Sequence, residues 1–276
     1  LWNRKIRKDN MAGKKYHRGR KKAKKKGSLV LNLILILALI VFAVSAFQLF
    51  QIVKGYMDGR GEYEDIRELA IEEVDDGEEG TPQFRVNFDE LLAINPDTIG
   101  WIRFSPEPSI ISYPIVQGED NDEYLHKTFS ANENTLGAIF LNAGNQPDFS
   151  DRNSIIYGHR MKDGSMFRHL QDYEERAFWE NNPYFYIYTP DGREITYHIY
   201  SAGQVEDTSD TYLTSFASDE EYQAFLDMTK EVSLYDTGVE LTTEDTIVTL
   251  STCTSASDEH RFVVRGVKEK EVNINP

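Results

Sequence analysis

Thr246-Ile247-Val248-Thr249-Leu250-Ser251-Thr252-Cys253 is a strand-like run that ends on the only cysteine of a 276-residue chain. One cysteine cannot close an internal disulfide, so its thiol is either a buried apolar filler or a reactive group. Its neighbours Ser251, Thr252 and Thr254 are small and polar, which suits a strand end opening into a cleft. Eight residues on, Arg261 opens Phe262-Val263-Val264, the next strand by composition. Far upstream, His159 follows the strand-like Ser154-Ile155-Ile156-Tyr157 and a glycine. A lone Cys with a distant His is the sequence form of a thiol nucleophile whose partners meet only in the fold. The guanidinium stays protonated, so Arg261 can support a thiolate or an oxyanion but cannot act as a base.

Working outward from that run, short apolar and alternating stretches predict strands at 110–117, 137–141, 153–157, 184–188, 195–204, 246–251 and 262–268. Asp191-Gly192 between two aromatic, alternating runs signals a hairpin. Helical stretches are expected near 62–74, 165–180 and 219–231, and Asn87 with Glu90 three residues on suggests a capped helix through Leu92. Many short strands and few helices predict a mostly β fold with helical insertions, closed or nearly closed into a barrel.

The net charge of −16 hides a split. Residues 1–27 hold thirteen Lys/Arg and one Asp, a net of +12, which leaves −28 on the rest. An acidic body argues against nucleic acid as a partner. Leu29 to Phe47 is almost continuous hydrocarbon, long enough to span a bilayer. The basic cluster before it should stay in the cytoplasm and place the acidic body outside. Val44-Ser45-Ala46 offers a signal-peptide cleavage reading, but the stretch is long for a signal core and a retained anchor is expected. The organisation is then a basic cytoplasmic tail (1–27), a transmembrane anchor (28–53), an acidic linker with a helix (54–83) and a catalytic domain (84–276).

Among the other histidines, His17 lies in the tail, His169 and His198 sit in ordinary helix and strand patterns, and His260 competes with His159 by abutting Arg261. No second Cys and no His-x-x-x-His spacing supports zinc, and the acidic run Glu72-Glu73-Val74-Asp75-Asp76 matches no calcium loop. No metal and no cofactor are expected.

Thr249-Leu250-Ser251-Thr252-Cys253 followed by Arg261-Phe262-Val263-Val264 resembles the active site of sortases, Gram-positive cell-surface cysteine transpeptidases, and most nearly class B. Three further blocks resemble the family in order: Asn95 to Ile102, Tyr113 to Leu125, and Tyr157 to Phe167. The resemblance implies an eight-stranded sortase barrel, with Asp219–Glu231 as the helix before the cysteine strand. It implies a catalytic Cys253, His159 and Arg261, with Arg265 the poorer match for the arginine. It implies a substrate groove from Asn121, Leu125, Tyr157 and Ser251, walled by a loop with Thr208, Tyr212 and Leu213. The segment between Cys253 and Arg261 is short and holds Asp258, Glu259 and His260, a departure from the family pattern. The implied reaction cleaves an NPQTN-like sorting signal of a secreted protein after Thr through a thioester. It then joins the protein to an amine of the peptidoglycan cross-bridge or its lipid-linked precursor. The alternatives are a pilin-polymerising sortase with a Lys acceptor, a hydrolytic cysteine peptidase and a non-catalytic anchored binding module.

Overall fold

The computed structural model describes residues 26–74, 83–106, 110–253 and 259–274. The chain divides into two units, Leu1–Gln51 and Ile52–Pro276. The basic tail with His17, the acidic stretch 75–82 and Asp258 lie outside the described residues.

Helix α1 (Lys26–Ala70) contains a stretch long and apolar enough to cross a membrane, with its side chains from Leu29 to Val53 exposed. The second unit begins inside this helix. Strand β1 (Ile71–Val74) follows and pairs antiparallel with β2 (Gln83–Val86). Helix α2 (Phe88–Ile94) is capped by the Asn87 side chain, which accepts from the Glu90 N–H at 3.3 Å. Then come β3 (Thr98–Phe104), β4 (Ser112–Val116), β5 (Ile139–Leu141) and β6 (Asn153–Tyr157). A 3-10 helix (Phe167–Glu174) and helix α3 (Arg176–Asn181) precede the hairpin of β7 (Tyr184–Tyr188) and β8 (Arg193–Glu206). Helix α4 (Asp219–Glu231), β9 (Ile247–Cys253) and β10 (His260–Asn273) complete the fold.

Eight strands close a barrel in the order β10-β8-β7-β3-β4-β5-β6-β9, with β9 paired back to β10. Two contacts are parallel, β4 with β5 and β6 with β9; the others are antiparallel. Closure removes free sheet edges, and the interior is filled by alternate side chains. Phe185 stacks on Tyr197 at 5.0 Å and on Phe104 at 5.4 Å, and the paired Ile102 and Ile187 are buried on the same face. Each such aromatic contributes about 1.5–3 kcal/mol by leaving water.

The predicted barrel is therefore present, and three expectations about elements need correcting. The expected helix at 62–74 stops at Ala70, and Ile71–Val74 is a strand. The residues assigned to a linker from 54 are largely part of the folded unit: Tyr63, Ile66 and Ala70 are buried, because the i, i+3, i+4 stripe of this helix packs against the barrel. The expected helix at 165–180 is broken at Glu175, which takes an extended conformation (φ −97°, ψ 117°) between the 3-10 helix and α3.

Candidate active site

Along β6, β9 and β10, side chains alternate between the barrel interior and its outer face. Ile156, Leu250, Phe262 and Val264 belong to the buried core. Their neighbours in sequence belong to the outer face, where register aligns three strands. Tyr157 pairs with Ser251 in the parallel β6–β9 ladder, and Arg261 pairs with Cys253 in the antiparallel β9–β10 ladder. Directly opposed antiparallel positions share a face, with Cα atoms about 4.5–5.5 Å apart. Two residues separated by eight in sequence are thus adjacent in space. Arg265 is four pairs deeper on the same face, opposite Thr249.

His159 stands just past the end of β6. The Gly158 N–H donates to the Ser251 carbonyl at 3.1 Å, which extends the β6–β9 contact to the residue before the histidine. The imidazole Nε2 lies 2.7 Å from the Leu125 carbonyl oxygen. A carbonyl can only accept, so Nε2 carries the hydrogen and Nδ1 is the nitrogen free for proton transfer. The ring also rests on Gly137, where a Cβ would come within 2.7 Å of the His159 Cδ2. Leu125, expected in the groove, therefore also holds the imidazole through its backbone.

Tyr157 and Tyr212 stack at 6.2 Å with 22° between their planes, and the Tyr212 hydroxyl is 3.0 Å from the Ser251 Oγ. The Asn142 Nδ2 donates to the Tyr157 hydroxyl at 3.1 Å. Burial pushes both phenols up, so they remain neutral hydroxyls at physiological pH. The Arg261 cation lies near enough to act electrostatically on both rings. Its Nη2 is 3.7 Å from an Asp207 carboxylate oxygen and its Nη1 donates to the His260 carbonyl at 3.2 Å. Asn121 accepts from the Ala143 N–H at 2.8 Å, at the turn that carries Asn142.

The loop wall is fastened from below. Arg265 is fully buried; its Nη1 donates to Ser201 Oγ at 3.1 Å and its Nη2 to Thr211 Oγ1 at 3.0 Å. Burial lowers its pKa, yet a guanidinium starts so high that it stays charged. Asn153 Nδ2 donates to the carbonyls of Thr211 and Leu213 at 3.3 and 2.8 Å. Leu213 itself is 40% exposed and Thr208 sits in an exposed turn beyond β8.

Of the residues expected at the site, Cys253, Arg261, Tyr157, Ser251 and Tyr212 are brought together by register and stacking. His159 and Leu125 meet beside them, and Asn121 joins through the 142–145 turn. Thr208 and Leu213 belong to the loop without a side-chain hydrogen bond among the described residues. Of the other histidines, His169 bonds Asp172 at 2.7 Å and His198 faces Glu269 at 3.5 Å, whereas His260 opens β10 beside Arg261. Asn142, Asp207 and Gly137 were not anticipated as parts of the site; a single Asn, Asp or Gly in a turn or loop carries no periodicity that would mark it. No cluster of potential metal ligands occurs among the described residues.

A closed eight-stranded barrel that pairs a strand-end cysteine with an arginine, with a histidine just past the end of the neighbouring parallel strand, is the arrangement of a sortase-type transpeptidase. The Sortase domain pattern matches residues 106–269, and the chain belongs to the sortase family, in class B. Sortase B of Staphylococcus aureus (strain NCTC 8325 / PS 47) is 31% identical over 234 residues, 83% of this chain and 91% of that protein. The S. aureus sortase B-substrate complex superposes with a TM-score of 0.62 at 34% identity, covering 66% of this chain and 84% of that one. A sortase B complexed with triglycine gives 0.61 at 34% identity, over 68% and 86%. Sortase B of Bacillus anthracis in complex with AAEK1 gives 0.67 at 34% identity, over 79% and 100%.

Proposed function

We propose that the chain is a membrane-anchored transpeptidase in which Cys253 attacks the Thr carbonyl of an NPQTN-like sorting signal. The observation that carries this is the ladder pairing of Arg261 with Cys253 beside the Tyr157–Ser251 pair. The attacking species is the Cys253 thiolate. Arg261 supports the oxyanion of the tetrahedral intermediate as charge moves from sulfur to oxygen. As the C–N bond breaks, His159 Nδ1 gives its proton to the departing amine, and a thioester remains on Cys253. An incoming amine attacks that thioester and loses a proton to Nδ1. The thiolate leaves, so the second half restores both groups. Thiolate and imidazolium must coexist, so the pair titrates together and only part of the enzyme is in the active state at a given pH.

The stacked Tyr157 and Tyr212, with Ser251, form one wall for the peptide, and Asn121, Leu125, Thr208 and Leu213 extend it. Sortase B structures have been solved with a substrate and with triglycine, which supports a sorting peptide and a primary amine as the two reactants here. The amine is assigned to the peptidoglycan cross-bridge or its lipid-linked precursor. The apolar half of α1 is assigned as a single-pass anchor, with the basic N-terminal residues cytoplasmic and the barrel outside.

The test is incubation of the full chain with a quenched fluorescent NPQTN-type peptide, with triglycine, diaminopimelate or no amine. Amine-ligated product that disappears in Cys253→Ala supports the transpeptidase. Free acid whichever amine is offered points to a hydrolytic peptidase. No turnover of any sorting peptide leaves the binding module.

A further inference from the structure

We infer that Tyr63, on α1, is a positioning residue for the His159 imidazole. This rests on His159 acting as the proton-transfer group proposed above.

The ring is held by two pieces of backbone. One is the Leu125 carbonyl, at 2.7 Å from Nε2. The other is Gly137, packed against the ring edge. The two are kept side by side because the Ala138 N–H donates to the Tyr124 carbonyl at 2.9 Å. Between them, residues 126–137 form an irregular excursion, closed by a Lys127–Glu133 bridge. An excursion of that length needs outside contacts to hold one shape.

Helix α1 supplies them. The Tyr63 hydroxyl donates to the Gly137 carbonyl at 2.8 Å and accepts from the Phe129 N–H at 3.2 Å. One buried atom thereby ties the end of the excursion to Phe129, within its first third. Glu62 accepts from Thr128 Oγ1 at 2.9 Å and from the Ser130 N–H at 3.0 Å, and Asn134 Nδ2 donates to the Gly55 carbonyl at 3.0 Å. Tyr63 also reaches the histidine from its other flank. Its ring meets Tyr113 edge-on at 5.4 Å, and the Tyr113 hydroxyl accepts from the Met166 N–H at 3.0 Å. Met166 bridges Arg160, the residue after the histidine, and the Phe167 N–H donates to the His159 carbonyl at 2.9 Å. Tyr63 is 5% exposed, and burial raises its pKa, so the hydroxyl stays protonated and makes both bonds at once.

Removing that hydroxyl would leave a buried carbonyl and a buried N–H without partners. The segment would move to recover them, and Gly137 is the part of it against the imidazole.

The experiment compares Tyr63→Phe, His159→Ala and the unaltered full chain in detergent, using peptide transpeptidation with unfolding midpoints recorded beside it. Tyr63→Phe should lower kcat about tenfold or more, as displacement of a catalytic group does. It should leave KM for the peptide within about twofold, because the peptide wall is untouched. The pH–rate profile of Tyr63→Phe should be displaced from that of the unaltered chain. A lower unfolding midpoint with unchanged kcat and pH profile would make Tyr63 a packing residue and overturn the inference. Should Tyr63→Phe fail to fold, Glu62→Ala releases the same segment at Thr128 and Ser130; it should lower kcat too, and unchanged kcat there would equally overturn it. Full activity in His159→Ala would defeat the underlying role of the histidine, whereas an inactive His159→Ala beside a fully active Tyr63→Phe would defeat only the positioning role.

Discussion

Gly137→Ala should damage stability and catalysis together, and Gly238→Ala should damage stability alone. Both glycines have positive φ, 62° and 72°. That conformation costs an alanine about 1–2 kcal/mol. Around Gly238 nothing lies within 4 Å of an added Cβ, so strain is its whole cost. At Gly137 the Cβ would sit 2.7 Å from His159 Cδ2 and 2.9 Å from the carbonyl oxygens of Leu125 and Tyr124. Carbon atoms in contact settle at about 3.5–4.0 Å, so the ring would have to retreat by about 1 Å. Overpacking of that kind adds about 1–3 kcal/mol. The total is about 2–5 kcal/mol, a fall in unfolding midpoint of about 4–20 °C for a unit of this size, against about 2–8 °C for Gly238→Ala. A catalytic group displaced by about 1 Å loses up to about a hundredfold in rate. Calorimetry gives the first quantity, and kcat in the peptide assay, taken well below both midpoints, gives the second. Equal midpoints for the two variants together with an unchanged kcat in Gly137→Ala would refute the packing of His159 on Gly137.

Thr211→Val should cost about 1–3 kcal/mol in chemical denaturation by leaving an Arg265 N–H unpaired in a buried site, while Thr211→Ser stays near the parent. Tyr212→Phe removes one hydrogen bond to Ser251, so stability in chemical denaturation should fall by about 0.5–1.5 kcal/mol, and KM for the peptide should rise as the proposed wall loosens. A domain cut at residue 84 loses the buried Tyr63, Ile66 and Ala70. It should melt below a domain cut at residue 52 and bind a hydrophobic dye that the longer one excludes.

The strands at 153–157 and 184–188 and the helix at 219–231 stood out in the sequence because each is a dense apolar or capped run flanked by turn residues. In the folded chain the Ser218 hydroxyl caps that helix, accepting from the Glu221 N–H at 3.2 Å. The strand Thr98–Phe104 gave no such signal, because Gly100 interrupts it and its burial depends on Tyr188 across the sheet. The last strand runs five residues past the expected end, to Asn273, where a charged stretch pairs with β8 without entering the core. For the helix ending at Ala70, a stripe of Ile66, Ala70 and Val74 is compatible with either outcome, and pairing with β2 decides it. At the site, residue types pointed to Cys253, His159 and Arg261 and the resemblance supplied their roles. The backbone partners of His159 were illegible, since a carbonyl leaves no mark in a sequence. Arg265 resembled the expected arginine in composition and differs in fate: it is buried under the loop wall and holds Thr211.

The most direct test of the central claim is intact-mass analysis of the full chain quenched early in its reaction with an NPQTN-type peptide. The account predicts an adduct of the acyl fragment on Cys253 that is absent in Cys253→Ala, is released by hydroxylamine as a thioester, and disappears into ligated product when triglycine or diaminopimelate is added. An adduct on another residue, or amine-ligated product formed undiminished by Cys253→Ala, would contradict it.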